Sequence, residues 1–217
     1  MTIYFDNSAT TQVRKEVAEA MFEFISTNYG NPSSIHAVGR NSYKAMALAR
    51  KRVAGLLNCS ATEICFAGCG TLANNLAILG RARFVEANDL GRHIITSRIE
   101  HPAVTGPARY LEAQGWKLTV LDVDKEGFIK VEQLMNALTE ETSIISIMWA
   151  NNEIGTLQPI REMAQAVQDY AKEKNFFIPM PFRLAARALS ILRKYLYRRF
   201  RYPVTSSTRL KGWGLYS

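Results

Sequence analysis

The sequence is poor in the residues that build metal and disulfide frameworks. It holds three cysteines and three histidines in 217 residues. Cys59, Cys65 and Cys69 are odd in number, lie close together and have no second Cys/His cluster to complete a zinc site, so reduced, buried small residues are their expected state. No apolar run approaches the ~20 residues that span a bilayer. The start, Met1-Thr2-Ile3-Tyr4-Phe5-Asp6, has neither the basic nor the apolar region of a secretory leader, and a cytoplasmic protein is the expectation. Repeats and low-complexity tracts are also missing.

Acid is missing from one end only. Residues 1–177 hold 18 Lys+Arg against 19 Asp+Glu, whereas residues 178–217 hold nine basic residues and no acid. The net charge of +8 therefore belongs to the tail and says little about the first 177 residues. With 47% hydrophobic and 21% charged residues, the composition is that of a globular chain able to bury a core.

Apolar periodicity divides the first part into alternating elements. Arg14 to Thr27 carries Val17, Met21, Phe24 and Ile25 at helical spacing. A loop at 29–34 precedes a helix over 37–57, with Ala45, Leu48, Ala49, Val53, Leu56 and Leu57 as its buried stripe. A short β-branched run that reads as a strand, a glycine turn at Gly68-Cys69-Gly70-Thr71 and a helix to about residue 85 follow. Strands are expected at 93–96, 117–121, 143–148 and 175–177, with helices at 103–113, 131–138 and 160–174 between them. This order implies an α/β fold, a mostly parallel sheet sandwiched by helices and preceded by a helical segment. In such sheets ligands gather beyond the carboxyl ends of the strands, where Gly68–Thr71, His101 and Asn151–Glu153 all fall.

Each of these places has two readings. The glycine turn can be an ordinary strand–helix connection, or can bind an anion on the free N–H groups that open the helix, with Gly70 giving room and Thr71 a hydroxyl. His101 in Glu100-His101-Pro102 can be a polar loop residue, or can stack on a flat cofactor and move a proton. Asn151-Asn152-Glu153 can be turn chemistry or a ligand contact. Asp122-Val123-Asp124-Lys125-Glu126-Gly127 starts like a calcium loop, but Gln133 stands at its closing position, which favours a turn.

Together the stretches Tyr4-Phe5-Asp6-Asn7-Ser8-Ala9-Thr10-Thr11, Gly30-Asn31-Pro32-Ser33-Ser34-Ile35-His36, Thr71-x-Ala73-Asn74-Asn75, Glu100-His101-Pro102-Ala103-Val104 and Asn151-Asn152-Glu153-Ile154-Gly155-Thr156 resemble, in order and spacing, the cysteine desulfurases of the class V aminotransferase group. The resemblance covers residues 2–177 and implies an incomplete large domain of a fold-type I pyridoxal 5′-phosphate enzyme. It implies that Gly70 and Thr71 hold the cofactor phosphate, that His101 stacks on the ring and acts in proton transfer, and that Asn152 lies near the ring hydroxyl and substrate. The implied substrate is L-cysteine, which yields alanine and passes its sulfur to an enzyme cysteine for iron–sulfur clusters or thiolated cofactors. Intact relatives are homodimers that deliver sulfur to a scaffold protein.

Departures from the pattern weaken that implication. Where the family commonly has Ser-Gly-Gly-Thr-Glu, this chain has Gly68, Cys69, Gly70, Thr71 and Leu72, so a hydroxyl and a carboxylate are lost and a weaker hold on cofactor is expected. After Phe177 the family continues His-Thr-Asp-Ala-Val-Gln, whose aspartate pairs with the ring nitrogen. Here Ile178-Pro179-Met180-Pro181-Phe182-Arg183-Leu184 follows instead. A Phe177 codon ending in C followed by ATA CCG ATG CCG TTC AGG CT regroups to CAT ACC GAT GCC GTT CAG GCT, which restores the family motif. With suitable synonymous codons Thr208-Arg209 can regroup to His-Lys, the family's cofactor-lysine pair, which would put Arg209 at the lysine position as written. A domain of residues 1–177 followed by a frameshift-derived tail of 178–217 is the expectation, with an inactive chain as its consequence. The alternative reads the interleaved basic and aromatic residues 193–202 as a contact for nucleic acid or an acidic membrane.

Overall fold

A computed structural model describes residues 3–174. Its centre is three parallel strands, β1 (His93–Ser97), β2 (Lys117–Leu121) and β3 (Thr142–Ser146), in the order β2-β1-β3. β1 pairs with β2 from His93↔Lys117 to Ser97↔Leu121, and with β3 from Ile94↔Ile144 to Thr96↔Ser146 after a register irregularity at His93. A central strand flanked on both edges and covered on both faces should be buried throughout rather than alternately, and all five residues of β1 are buried, the polar His93, Thr96 and Ser97 included.

Among the described residues six helices surround or precede the sheet: α1 (Lys15–Ser26), α2 (Ala37–Leu57), α3 (Gly70–Ala87), α4 (Pro102–Ala113), α5 (Val131–Ala137) and α6 (Ile160–Glu173). Successive strand residues point to opposite faces, so β1 feeds two separate cores. Ile95 and Ile145 pack with Leu134 of α5 and with Ile160, Met163 and Val167 of α6. Ile94 and Ile144 pack on the other side with Ile78, Ala82 and Val85 of α3 and with Val104, Ala108 and Leu111 of α4. The helix spacings i, i+3, i+7 and i, i+4, i+7 are those of one buried stripe, as the sequence periodicity requires.

At the amino end of the sheet His93 ties all three strands. Its Nε2 meets Thr119 Oγ1 at 2.8 Å and its Nδ1 meets Thr142 Oγ1 at 2.8 Å. The ring is fully buried, and burial, aided by the nearby Lys117 charge, pushes its pKa down to about 4. Gly91 just before β1 is sterically required, because a Cβ there would lie 2.2 Å from Glu141 Cα.

Four sequence expectations are corrected. The β-branched run before the glycine turn forms no strand: residues 64–67 have no regular secondary structure, and no strand among the described residues pairs with them to supply ladder bonds. On α2 the buried residues are Gly39, Ser42 and Ala54, while Ala45, Val53 and Leu57 are half-buried and Leu48, Ala49 and Leu56 are exposed. Among the described residues α2 packs chiefly on the 3-10 turn Ala61–Glu63, so its apolar stripe has no layer to cover it. The cysteines are free thiols, but Cys65 and Cys69 are exposed and Cys59 only half-buried, because their segment leaves the packed sheet. The third strand runs Thr142–Ser146 rather than 143–148, since the chain past 146 turns into a hairpin closed by the Ala150–Leu157 bridge. The strand expected at 175–177 lies outside the described residues. No helix among them is long and apolar enough to cross a membrane.

Candidate cofactor site

The helix that opens at Gly70 is entered through Cys69, an extended residue (φ −158°, ψ 168°) whose Sγ accepts the Leu72 N–H at 3.5 Å. Sulfur is a weak acceptor, so the first turn keeps most of its donor capacity. A Cβ added at Gly68 or Gly70 would meet nothing within 4 Å, which leaves open space above the turn. One turn on, Asn75 Nδ2 donates to Thr71 O at 2.8 Å and fixes its amide along the helix face.

The second wall comes from α4. His101 is its N-cap, in extended conformation, and its Nδ1 accepts the Ala103 N–H at 3.0 Å. With Nδ1 used as an acceptor, the neutral imidazole carries its proton on Nε2. Pro102 follows at the first helical position, where its missing N–H costs nothing and its fixed φ suits the helix. Thr71, Asn75 and Leu79 of α3 face His101, Gly106 and Tyr110 of α4 across an open groove of about 510 Å³. Thr71 in the first turn of α3 and His101 at the N-cap of α4 thus line one groove near the carboxyl end of β1.

The loop that carries His101 is anchored beneath it. Glu100 Oε1 accepts from Ser97 Oγ at 2.9 Å and from the Met148 N–H at 2.5 Å. Burial raises the Glu100 carboxyl to about pH 7, although both hydrogen bonds oppose the shift. Asn151 Nδ2 donates to Ile99 O at 3.1 Å, while its Oδ1 accepts the N–H groups of Glu153 at 2.8 Å and Ile154 at 3.0 Å. Asn151 is therefore turn chemistry. Asn152, the residue singled out from sequence, sits exposed at the next position of that turn and does not line the groove. Gly70 stands at the head of α3 immediately before Thr71.

Sequence reasoning missed Glu100 as an anchor and Gln158 as a buried brace. Gln158 Oε1 accepts from Ile129 N at 2.9 Å and its Nε2 donates to Gly127 O at 2.5 Å. A glutamine two residues before a helix carries no local signal of such burial. The Asp122–Gly127 stretch is a turn, with Asp124 Oδ1 accepting the N–H groups of Glu126 and Phe128, both at 2.9 Å. No cluster of metal-ligating side chains occurs among the described residues.

A flat, phosphate-bearing cofactor fits what is present: an open turn of N–H donors with a hydroxyl at one end, and an exposed imidazole beside it. Residues 178–217, which carry the expected frameshift and the alternative nucleic-acid or membrane contact, lie outside the described residues.

Residues 3–175 match the family model described as aminotransferase class-V. The chain is 49% identical over 167 residues to the cysteine desulfurase IscS of Methanosarcina thermophila, covering 77% of this chain and 41% of that protein. It is 46% identical over 175 residues to the cysteine desulfurase IscS of Clostridium botulinum strain Hall, covering 81% and 43%. Among solved structures, a NifS-like protein superposes with a TM-score of 0.76 at 40% identity, covering 80% of this chain and 47% of that one. A structure of SspA in complex with cysteine gives a TM-score of 0.72 at 34% identity, covering 81% and 49%. The chain spans less than half the length of these relatives.

Proposed function

This chain belongs to the aminotransferase class-V family, whose cysteine desulfurases depend on pyridoxal 5′-phosphate, and we propose that the Thr71–His101 groove is the phosphate and ring-stacking side of such a cofactor site. The observation that carries the reading is the shared groove: two residues 30 positions apart in sequence line one opening at the carboxyl end of β1. Thr71 Oγ1 and the first N–H groups of α3 bind the phosphate. The His101 imidazole, held through Nδ1, offers its ring face for stacking and Nε2 for holding or moving a proton. By the family resemblance Asn152 would lie near the ring hydroxyl or substrate, although its side chain stands on the turn outside the groove lining. When bound, the cofactor supplies an electron sink for carbanion chemistry on an amino acid.

By family the substrate is L-cysteine, and the setting is a cytoplasmic homodimer that hands sulfur to a scaffold protein. The chain as written does not turn over. Arg209 stands at the position matched to the cofactor lysine, and a guanidinium that stays protonated cannot form the covalent link. The aspartate that would pair with the ring nitrogen is replaced within Ile178–Leu184. We assign residues 1–177 to the partial family domain and 178–217 to a shifted reading frame. The purified 217-residue protein should release neither sulfide nor alanine from L-cysteine; release of either would overturn the assignment. An intact frame through the Phe177 codon, with no desulfurase frame downstream, would remove the frameshift.

A further inference from the structure

The 97–101 connection is held by two side chains, its own Glu100 and Asn151 of the turn past β3. Glu100 turns away from the groove, and its Oε1 gathers two donors from different strand ends: Ser97 Oγ at the end of β1 and the Met148 N–H two residues past β3. Asn151 closes the same joint from the other side through Ile99 O. His101 follows directly, and its Nδ1 bond to Ala103 begins α4. Moving Glu100 therefore moves the point from which the imidazole is hung.

We propose that Glu100 is a positioning residue, whose carboxyl oxygen clamps the His101 loop to the end of β3 and so sets the place of the imidazole over the groove. The clamp works through the reach and acceptor geometry of one oxygen. The inference rests on the proposed cofactor reading only for what the imidazole does once placed.

The test is nuclear magnetic resonance of the full chain without cofactor, following the Met148 amide and the His101 ring signals in E100A, E100Q, E100D and S97A. Losing a buried bond to a charged or acidic acceptor should cut the exchange protection of the Met148 N–H by about tenfold or more in E100A. The His101 ring signals should shift in the same variant and lose the single Nε2–H tautomer. E100Q keeps an acceptor oxygen at the same reach and should restore both readings. E100D, one methylene shorter, should resemble E100A. S97A removes one donor and should move the His101 signals part of the way, which keeps the test open should E100A fail to fold.

His101 signals that stay in place in S97A and in whichever Glu100 variants fold would overturn the clamp, as would an E100Q that behaves like E100A. A parallel titration with pyridoxal 5′-phosphate separates the two readings. If the His101 signals follow the clamp while the wild-type chain binds no cofactor, the cofactor reading fails and the clamp stands.

Discussion

The sheet unit over 93–174 and the helical segment over 15–66 share one apolar vocabulary and meet opposite fates. In the sheet unit Ile94 and Leu134 are 0% exposed, while on the leading helices Phe22 is 68% and Leu56 is 58% exposed. Both regions have amphipathic periodicity, but only the first has a second layer among the described residues to receive it. Periodicity states which face of a helix needs burial; it does not supply the partner. Exposed apolar surface on this scale marks an interface or an aggregation liability.

The largest expected effect contrasts one residue from each region. Leu134→Ala removes a fully buried side chain from the α5–α6 core and should cost about 2–5 kcal/mol in denaturant unfolding. Leu56→Ala, by contrast, should stay within about 0.5 kcal/mol. A comparable loss at both positions would mean that the leading helices are covered in solution and would erase the difference.

Two buried titratable groups inside the sheet unit sharpen it next. His93 is depressed from 6.5 to about 4, so its native state resists protonation: the stability it allows is complete above pH 6.5 and falls as pH drops toward 4. The loss is on the order of 3 kcal/mol. Glu100 is raised from 4.5 to about 7, so the opposite holds: its contribution is complete below pH 4.5 and is lost as pH rises toward 7, by a similar or smaller amount. The two slopes oppose each other across the same window. E100Q should therefore expose a fall in stability on acidification from pH 6.5 to 4, and His93→Gln a fall on raising pH from 4.5 to 7, in urea melts at stepped pH. Flat profiles in both variants would contradict the burial of these groups.

A smaller effect tests the close approach before β1. Gly91→Ala should cost roughly 1–3 kcal/mol, because the new methyl meets backbone rather than a yielding side chain. Gly115→Ala also meets a strained backbone at φ +88°, but in open space, and should cost less.

Most of the sheet unit was legible in the sequence because its elements report themselves locally. The β1 run His93-Ile94-Ile95-Thr96, the helix expected over 160–174 and the turn at Asp124 each carry their own periodicity or turn chemistry. What was not legible depends on partners distant in sequence. Ile64-Cys65-Phe66 has strand composition, yet a strand is defined by its neighbour, and none pairs with it among the described residues. The α2 stripe failed for the same reason. At the candidate site, Thr71 and His101 were readable from helix-start signals, whereas Glu100 and Gln158 work through bonds to Met148 and to Gly127 and Ile129, which no local pattern announces.

The cofactor groove is tested most directly by titrating the 217-residue chain with pyridoxal 5′-phosphate, wild type beside Thr71→Val, and then reducing with borohydride. Saturable binding to the wild type is expected, weakened about tenfold or more by loss of the hydroxyl bond to a charged phosphate, with no cofactor left attached after reduction because Arg209 cannot form the link. A wild type that does not bind, a Thr71→Val chain that binds as well as the wild type, or a covalently retained cofactor would contradict this account.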